Sequence, residues 1–219
     1  LFTARNEKDI NTLEAELKKE GYVIIGLVAD SAEANDVQKI KTWIEENWNS
    51  LDILVNNAGI NIRKQANEYS EEEFRKVLEI NLVAPFQIST TLYPFLKNSG
   101  KAAIINVASS AAIQDVGTGT PYAMSKSGLL QQSRSLAVEW AKEGIRVNSV
   151  SPWFTKTPLT EGYLHNEEKM GSILKRTPLN RVAEAEEIAS IISFLAMNKS
   201  SFVTGQNIVA DGGMSINAL

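Results

Sequence analysis

The chain has no cysteine and only one histidine. The first absence removes disulfides and thiolate metal sites, and the second removes a histidine-rich metal centre, so no metal is expected. No apolar run is long enough to span a bilayer and no signal-peptide pattern is visible, so no membrane partner is expected. Positive charge is in short supply as well: 22 Lys and Arg face 26 Asp and Glu, for a net charge of −4, and no basic stripe gathers. That balance argues against nucleic acid as a partner. Repeats, low-complexity tracts and linkers are missing too. What remains is an ordinary globular composition over 219 residues, enough for one domain with a sizeable core. The lack of cysteine fits a cytoplasmic address.

The pattern that is present alternates short apolar runs with helical periodicity. Residues 21–29 (GYVIIGLVA), 51–55 (LDILV), 102–110 (AAIINVASS), 145–150 (IRVNSV) and 207–210 (NIVA) read as strands, several with turn signals after them. Helical patterns lie between them at 6–20, 32–48, 71–96, 122–142 and 184–197. Ser70 with Glu73 forms a capping box at the start of the third. Alternating β and α with nearly continuous apolar strands predicts an α/β fold: a doubly wound, Rossmann-like parallel sheet with helices on both faces.

One strand end and one helix start carry the chemistry. Ser109 ends the run 102–110, and thirteen positions later comes Tyr122, directly after Pro121, with Lys126 four residues further on. Pro121 suits a helix start, so Tyr122 and Lys126 fall on one face of its first turns. A tyrosine is a poor acid or base at neutral pH, with an ordinary pKa of about 10. A neighbouring lysine cation favours the phenolate and draws that pKa toward the working range. A serine hydroxyl from another element can then polarise a substrate carbonyl. Together with Asn81, these groups form a proton-transfer device for interconverting a ketone and an alcohol. A bare Y-x-x-x-K match is equally what a solvated surface helix would show; the strand-end serine is what gives it context.

Asn56-Asn57-Ala58-Gly59 after a strand, Asn81 within LEINLVAPF (78–86), Ser109 after a strand, Tyr122-x-x-x-Lys126, Ile145-Arg146-Val147-Asn148, Thr204-Gly205 and Asp211-Gly212-Gly213 occur in this order. Over essentially its whole length the chain resembles the short-chain dehydrogenase/reductase family, and SPWFTKTPL (151–159), TARNEKDI (3–10) and Phe95-Leu96-Lys97 resemble its tropinone-reductase-like branch. The resemblance implies that Tyr122 exchanges a proton with the carbonyl oxygen and that Lys126 lowers the Tyr122 pKa and bonds the nicotinamide ribose. It also implies that Ser109 orients the carbonyl and Asn81 supports a relay water. Hydride would come from the nicotinamide, since no side chain can supply it. Ser109 has the family spacing, three residues after Asn106; Ser110 is the alternative, a structural serine bonding backbone at the strand end.

Two departures stand out. Pro152-Trp153 replaces the usual Pro-Gly, so the backbone there cannot require φ > 0. In the resemblance Thr155 and Thr157 lie near the nicotinamide carboxamide and the diphosphate, and Trp153 either walls the cleft or sits in the core behind it. The second departure is the lack of a glycine-rich turn after a first strand, the element that brings backbone and a helix N-terminus to a pyrophosphate. Gly117-Thr118-Gly119 lies elsewhere, between the serine and the tyrosine. Residues 1–219 therefore read as a single Rossmann-like dehydrogenase domain, N-terminally incomplete. Without a central first strand, two half-sheets with unpaired inner edges are expected.

Cofactor preference follows from Ala4-Arg5 at the end of the first run present. NAD-selective relatives place a carboxylate there, whereas Arg5 can pair with a 2′-phosphate, so NADP(H) is expected over NAD(H). Asp30 accepts from the adenine amine or serves as a helix-start acid beside Ser31, and Asn57, Ala58 and Gly59 pack on the adenosine side. Residues 158–177 break the rhythm and read as a substrate lid with one apolar and one polar face; His165 is expected at its solvated surface. Ile113, Trp153 and Phe154 would complete a mostly apolar pocket for a small ketone. A sugar-acid dehydrogenase, a 3-oxoacyl thioester reductase and a non-catalytic protein on the same scaffold are the competing readings. The long helices 71–96 and 122–142 predict a homodimer or homotetramer.

Overall fold

The computed structural model describes residues 1–217. In chain order the elements are β1 (Phe2–Ala4), α1 (Glu7–Lys19), β2 (Gly26–Val28), α2 (Ala34–Asn47) and β3 (Ile53–Asn56), then α3 (Glu71–Leu78), a π turn (Glu79–Val83), α4 (Ala84–Thr91), α5 (Tyr93–Ser99) and β4 (Ala103–Val107). There follow α6 (Thr120–Trp140), β5 (Arg146–Pro152), α7 (Pro158–Leu164), α8 (Glu167–Arg176), α9 (Ala185–Ala196) and β6 (Asn207–Ala210). Every strand pairing is parallel, and the architecture is a Rossmann-like single domain.

The strands fall into two sheets, β1-β2 and β3-β4-β5-β6. Two separate half-sheets were expected, and β3 closes one side of the larger one. Ile53 and Val55 on β3 are 45% and 39% exposed, unusual for apolar residues in a parallel sheet.

Alternation along β4 divides the core. Ile104 joins Val147, Leu92, Leu96, Leu136 and Trp140 on one face, with Val37, Ile40 and Ile44 of α2 in the same cluster. Ala103 and Ile105 point the other way, with Val150, toward Ile188 and Leu195 of α9. Both faces of the larger sheet are thus covered by helices, as a parallel sheet requires.

The single helix expected over 71–96 is broken twice. It opens on the predicted capping box, in which Glu73 N donates to Ser70 Oγ and Ser70 N to Glu73. It then widens to a π turn over Glu79–Val83, because Pro85 has no N–H to offer the Asn81 carbonyl. The second break is at Leu92, where Pro94 enters the first turn of α5. The segment expected as a lid forms two short helices, α7 and α8, of which α8 buries Ile173.

Candidate active site

Parallel pairing puts the carboxyl ends of the strands along one edge, where loops leave for the helices. A cleft of about 930 Å³ runs along that edge. Its wall takes Arg5 after β1, Asp30 after β2, Asn57, Ala58 and Gly59 after β3, and Ser109 after β4. Pro152, Trp153, Thr155 and Thr157 enter it from the end of β5, and Tyr122 and Lys126 from α6. Residues called out from six separate stretches of sequence therefore share one wall. Ala185, Ile188, Ala189 and Ile192 of α9 line it as well, and Gly59 is the only glycine in the wall.

Asn81 stands one layer behind. Its carboxamide is fully buried and bonds both backbone groups of Ile60, accepting from N and donating to O at 2.9 Å each, and it also donates to Ser125 Oγ at 3.1 Å. The π turn aims it there, as such bulges often do at functional sites. Gly59 lies close to both, where a Cβ would stand 3.3 Å from Asn81 Oδ1 and 3.4 Å from Lys126 Nζ.

Lys126 is 4% exposed, and its Nζ donates to the Val107 carbonyl at 2.8 Å. Burial pushes its pKa from 10.5 down to about 8. Burial pushes the Tyr122 phenol up, while the Ser109 hydroxyl and the Arg63 guanidinium pull it the other way. The four-residue spacing does put both on one helix face, but Nζ turns to Val107 and lies 5.8 Å from the phenol ring centre.

The two serines separate cleanly. Ser110 is fully buried and donates to the Pro152 carbonyl at 3.0 Å, the backbone role foreseen for it, whereas Ser109 lines the cleft beside Tyr122. Trp153 walls the cleft, and its indole N–H donates to Thr177 Oγ1 at 3.2 Å. Ile113 and Phe154, expected in the substrate pocket, do not line this cleft wall. Ile113 ends a short turn and is 44% exposed, and Phe154 is taken up in contacts with Trp153 and Tyr163. His165 is exposed at the end of α7, as expected.

At the far end, Arg5 Nη1 approaches Asp30 Oδ2 at 3.9 Å, a long and largely solvated pair. The other oxygen of Asp30 accepts from Ala32 N at 3.0 Å, and the cap of α2 is Glu33, three residues on. Asp30 thus faces the cleft rather than capping the helix.

Sequence reasoning missed two groups. Arg63, in the loop after Gly59, influences Tyr122 from outside the wall. A buried polar chain also crosses the sheet beneath the site: Asn56 donates to Asn106, Asn106 to Ser133, and Ser149 to Ser133, at 2.7–2.8 Å. Among the described residues no cluster of three or more His, Cys, Asp or Glu could hold a metal, and no helix is long and apolar enough to cross a membrane.

A family model described as enoyl-(acyl carrier protein) reductase matches residues 1–215. A tropinone reductase homologue from Arabidopsis thaliana is 38% identical over 215 residues, covering 98% of this chain and 81% of that protein. Among solved structures, a gluconate 5-dehydrogenase from Burkholderia cenocepacia in complex with NADP and tartrate superposes with a TM-score of 0.93 at 28% identity, covering 99% of this chain and 85% of that one. Levodione reductase superposes with a TM-score of 0.92 at 26% identity, covering 98% and 86% respectively.

Proposed function

Since the chain belongs to the short-chain dehydrogenase/reductase family, in its tropinone-reductase-like branch, and is an oxidoreductase acting on CH–OH with NAD(P), we propose that it interconverts a small ketone and a secondary alcohol with NADP(H). The observation that carries this reading is the convergence of Ser109, Tyr122 and a fully buried Lys126 in one cleft wall. The Ser109 hydroxyl donates to the substrate oxygen and holds it against Tyr122. In reduction the Tyr122 phenol gives its proton to that oxygen; in oxidation the phenolate takes it back. Lys126 holds a proton near neutral pH at an ammonium that burial has made easier to discharge. Asn81, fixed on Ile60 and Ser125, keeps Gly59 and Lys126 at their mutual distance and supports the relay of the proton outward.

The residues present fit a nicotinamide dinucleotide at both ends of the cleft, though no glycine-rich turn stands between them. Arg5 and Asp30 would hold the adenosine ribose and base, Asn57, Ala58 and Gly59 its flank, and Pro152, Thr155, Thr157 and Lys126 the nicotinamide half. When bound, the cofactor supplies or accepts the hydride. Arg5 favours NADP(H), because its ion pair with Asp30 is long, at 3.9 Å, and leaves the guanidinium able to take a 2′-phosphate.

A sugar-acid substrate is the second reading, supported by the likeness to a gluconate 5-dehydrogenase. Residues 158–177 serve as the lid of a single domain, with Trp153 between lid and cleft. Phe86 and Val138, exposed beside a groove between α4 and α6, support a homodimer or homotetramer. The lack of cysteine fits a cytoplasmic address.

The test is Tyr122→Phe, followed by nucleotide absorbance with a ketone panel. Turnover should fall by about 10²–10⁴-fold, the range of general acid catalysis, while nucleotide binding changes little. Turnover within a few-fold of wild type would remove Tyr122 from its role.

A further inference from the structure

Resting on the carbonyl–alcohol reading above, the surroundings of Tyr163 bear on the charge of the substrate. The loop after β3 is pinned on both sides of Arg63. Asn61 Nδ2 donates to Thr118 Oγ1, the Tyr69 hydroxyl donates to the Ile62 carbonyl, and Lys64 pairs with Glu73. Arg63 itself has no ion pair or hydrogen bond among the described residues; its guanidinium lies 5.0 Å from the centre of the Tyr163 ring. Lys169 of α8 lies 4.4 Å from the same centre, also without an ion pair among the described residues. Other cations on this surface do find carboxylates, as Lys64 does with Glu73, Lys156 with Glu184 and Arg181 with Glu187.

Two cations thus approach one ring and neither has a carboxylate partner among the described residues, so an anion reaching both would be attracted by both. The ring is tied to the cleft: Tyr163 stacks on Phe154 at 5.3 Å, Phe154 meets Trp153 edge-on at 4.8 Å, and Trp153 is in the wall. The field of Arg63 also reaches the Tyr122 phenol, so cation and acid/base group serve the same space. One cation comes from the fixed loop and the other from the lid, so a bound anion would draw the two together.

We propose that Arg63 and Lys169 form an anion subsite, and that the substrate is a keto or hydroxy acid whose carboxylate they hold while Tyr122 acts on the carbonyl or carbinol. A guanidinium fork matches a carboxylate through two parallel hydrogen bonds. An amino ketone, protonated at neutral pH, would be repelled at the same place.

The test compares keto acids of five and six carbons, levulinate and 5-ketogluconate, with their neutral methyl esters. For wild type, kcat/KM should favour the acids by at least about tenfold, the worth of one charge-assisted pair. Arg63→Gln should bring the acid-to-ester ratio toward one, Arg63→Lys should restore part of it, and Lys169→Gln should lower it in part. Esters used as well as acids by wild type, or a ratio unmoved by Arg63→Gln, overturns the subsite and leaves the oxidoreductase reading intact. If no compound is turned over, tryptophan fluorescence titration with the same acids decides. Saturable binding that Arg63→Gln weakens tenfold or more keeps the subsite and removes the carbonyl reading, whereas no binding overturns the subsite.

Discussion

Replacing Lys126 with methionine should make the nucleotide-free protein more stable while ending its chemistry. The side chain is 4% exposed, and its surroundings hold the ammonium pKa at about 8 instead of 10.5. At pH 7 the folded state therefore carries a buried charge that costs about 3 kcal/mol relative to the same lysine in the unfolded chain. Methionine removes that cost and keeps a similar volume, but it strands the Val107 carbonyl that Nζ now satisfies, worth about 1 kcal/mol. The net gain is about 2 kcal/mol, which for a chain of 219 residues raises Tm by about 4–8 °C.

The gain should depend on pH with a fixed sign. The unfolded chain keeps the lysine proton to about pH 10.5 and the folded chain releases it near 8. Between those values the unfolded state binds more protons, so wild-type stability rises with pH through that window. The variant lacks the group and does not share the rise. Its advantage should be complete below pH 8 and shrink steadily toward pH 10. Urea unfolding of both proteins at pH 7, 8, 9 and 10, without nucleotide, reads the difference directly. A variant less stable than wild type at pH 7, or an advantage that does not change with pH, refutes the claim that burial alone sets the Lys126 pKa.

Arg5→Ala should lower the ratio of NADPH to NADH affinity by about tenfold or more, the value of one charge-assisted phosphate contact, and a ratio unchanged in fluorescence titrations would remove the basis for NADP(H) preference. Val138 is 82% exposed on α6, and Val138→Glu puts a charge at the proposed subunit contact. Light scattering at micromolar concentration should find wild type as a dimer or tetramer and the variant shifted toward monomer; a wild-type monomer would end that proposal.

What the sequence made legible was set by local rules. The capping box at Ser70 and the strand ends carrying Asn57, Ser109 and Trp153 depend on near neighbours and periodicity, and they stand where those rules put them. The split into two sheets followed from an absent turn and its consequence for strand pairing. The extra breaks in the helix over 71–96 were less visible, because a proline near a helix start is tolerated and only its i−4 partner reveals the cost. The bond from Lys126 to Val107 was hidden for a different reason. An i,i+4 spacing states that two side chains can meet, not what else the cation bonds, and here it also donates to the Val107 carbonyl. Arg63 had no local signature at all, because its partner ring lies a hundred positions away on another element.

The polar chain beneath the cleft shows what holds the site to its geometry. Ser133, Lys126 and Tyr122 are spaced seven and four residues apart on α6, one above another along the face that meets the sheet. Ser133 accepts from Asn106 on β4 and from Ser149 on β5, and Asn56 on β3 donates to Asn106, so one helix is keyed to three strands at a single level. Apolar packing alone would tolerate a small slide of α6 along the sheet, since Leu136 and Trp140 meet other apolar side chains there. A buried hydrogen bond does not, because sliding leaves its donor and acceptor unpaired in a dry interior. The network therefore fixes the axial position of α6, and with it the distance from Tyr122 to Ser109 at the end of β4. On the proposed mechanism, the precision that proton transfer needs is set about three turns from Tyr122, in residues outside the cleft wall.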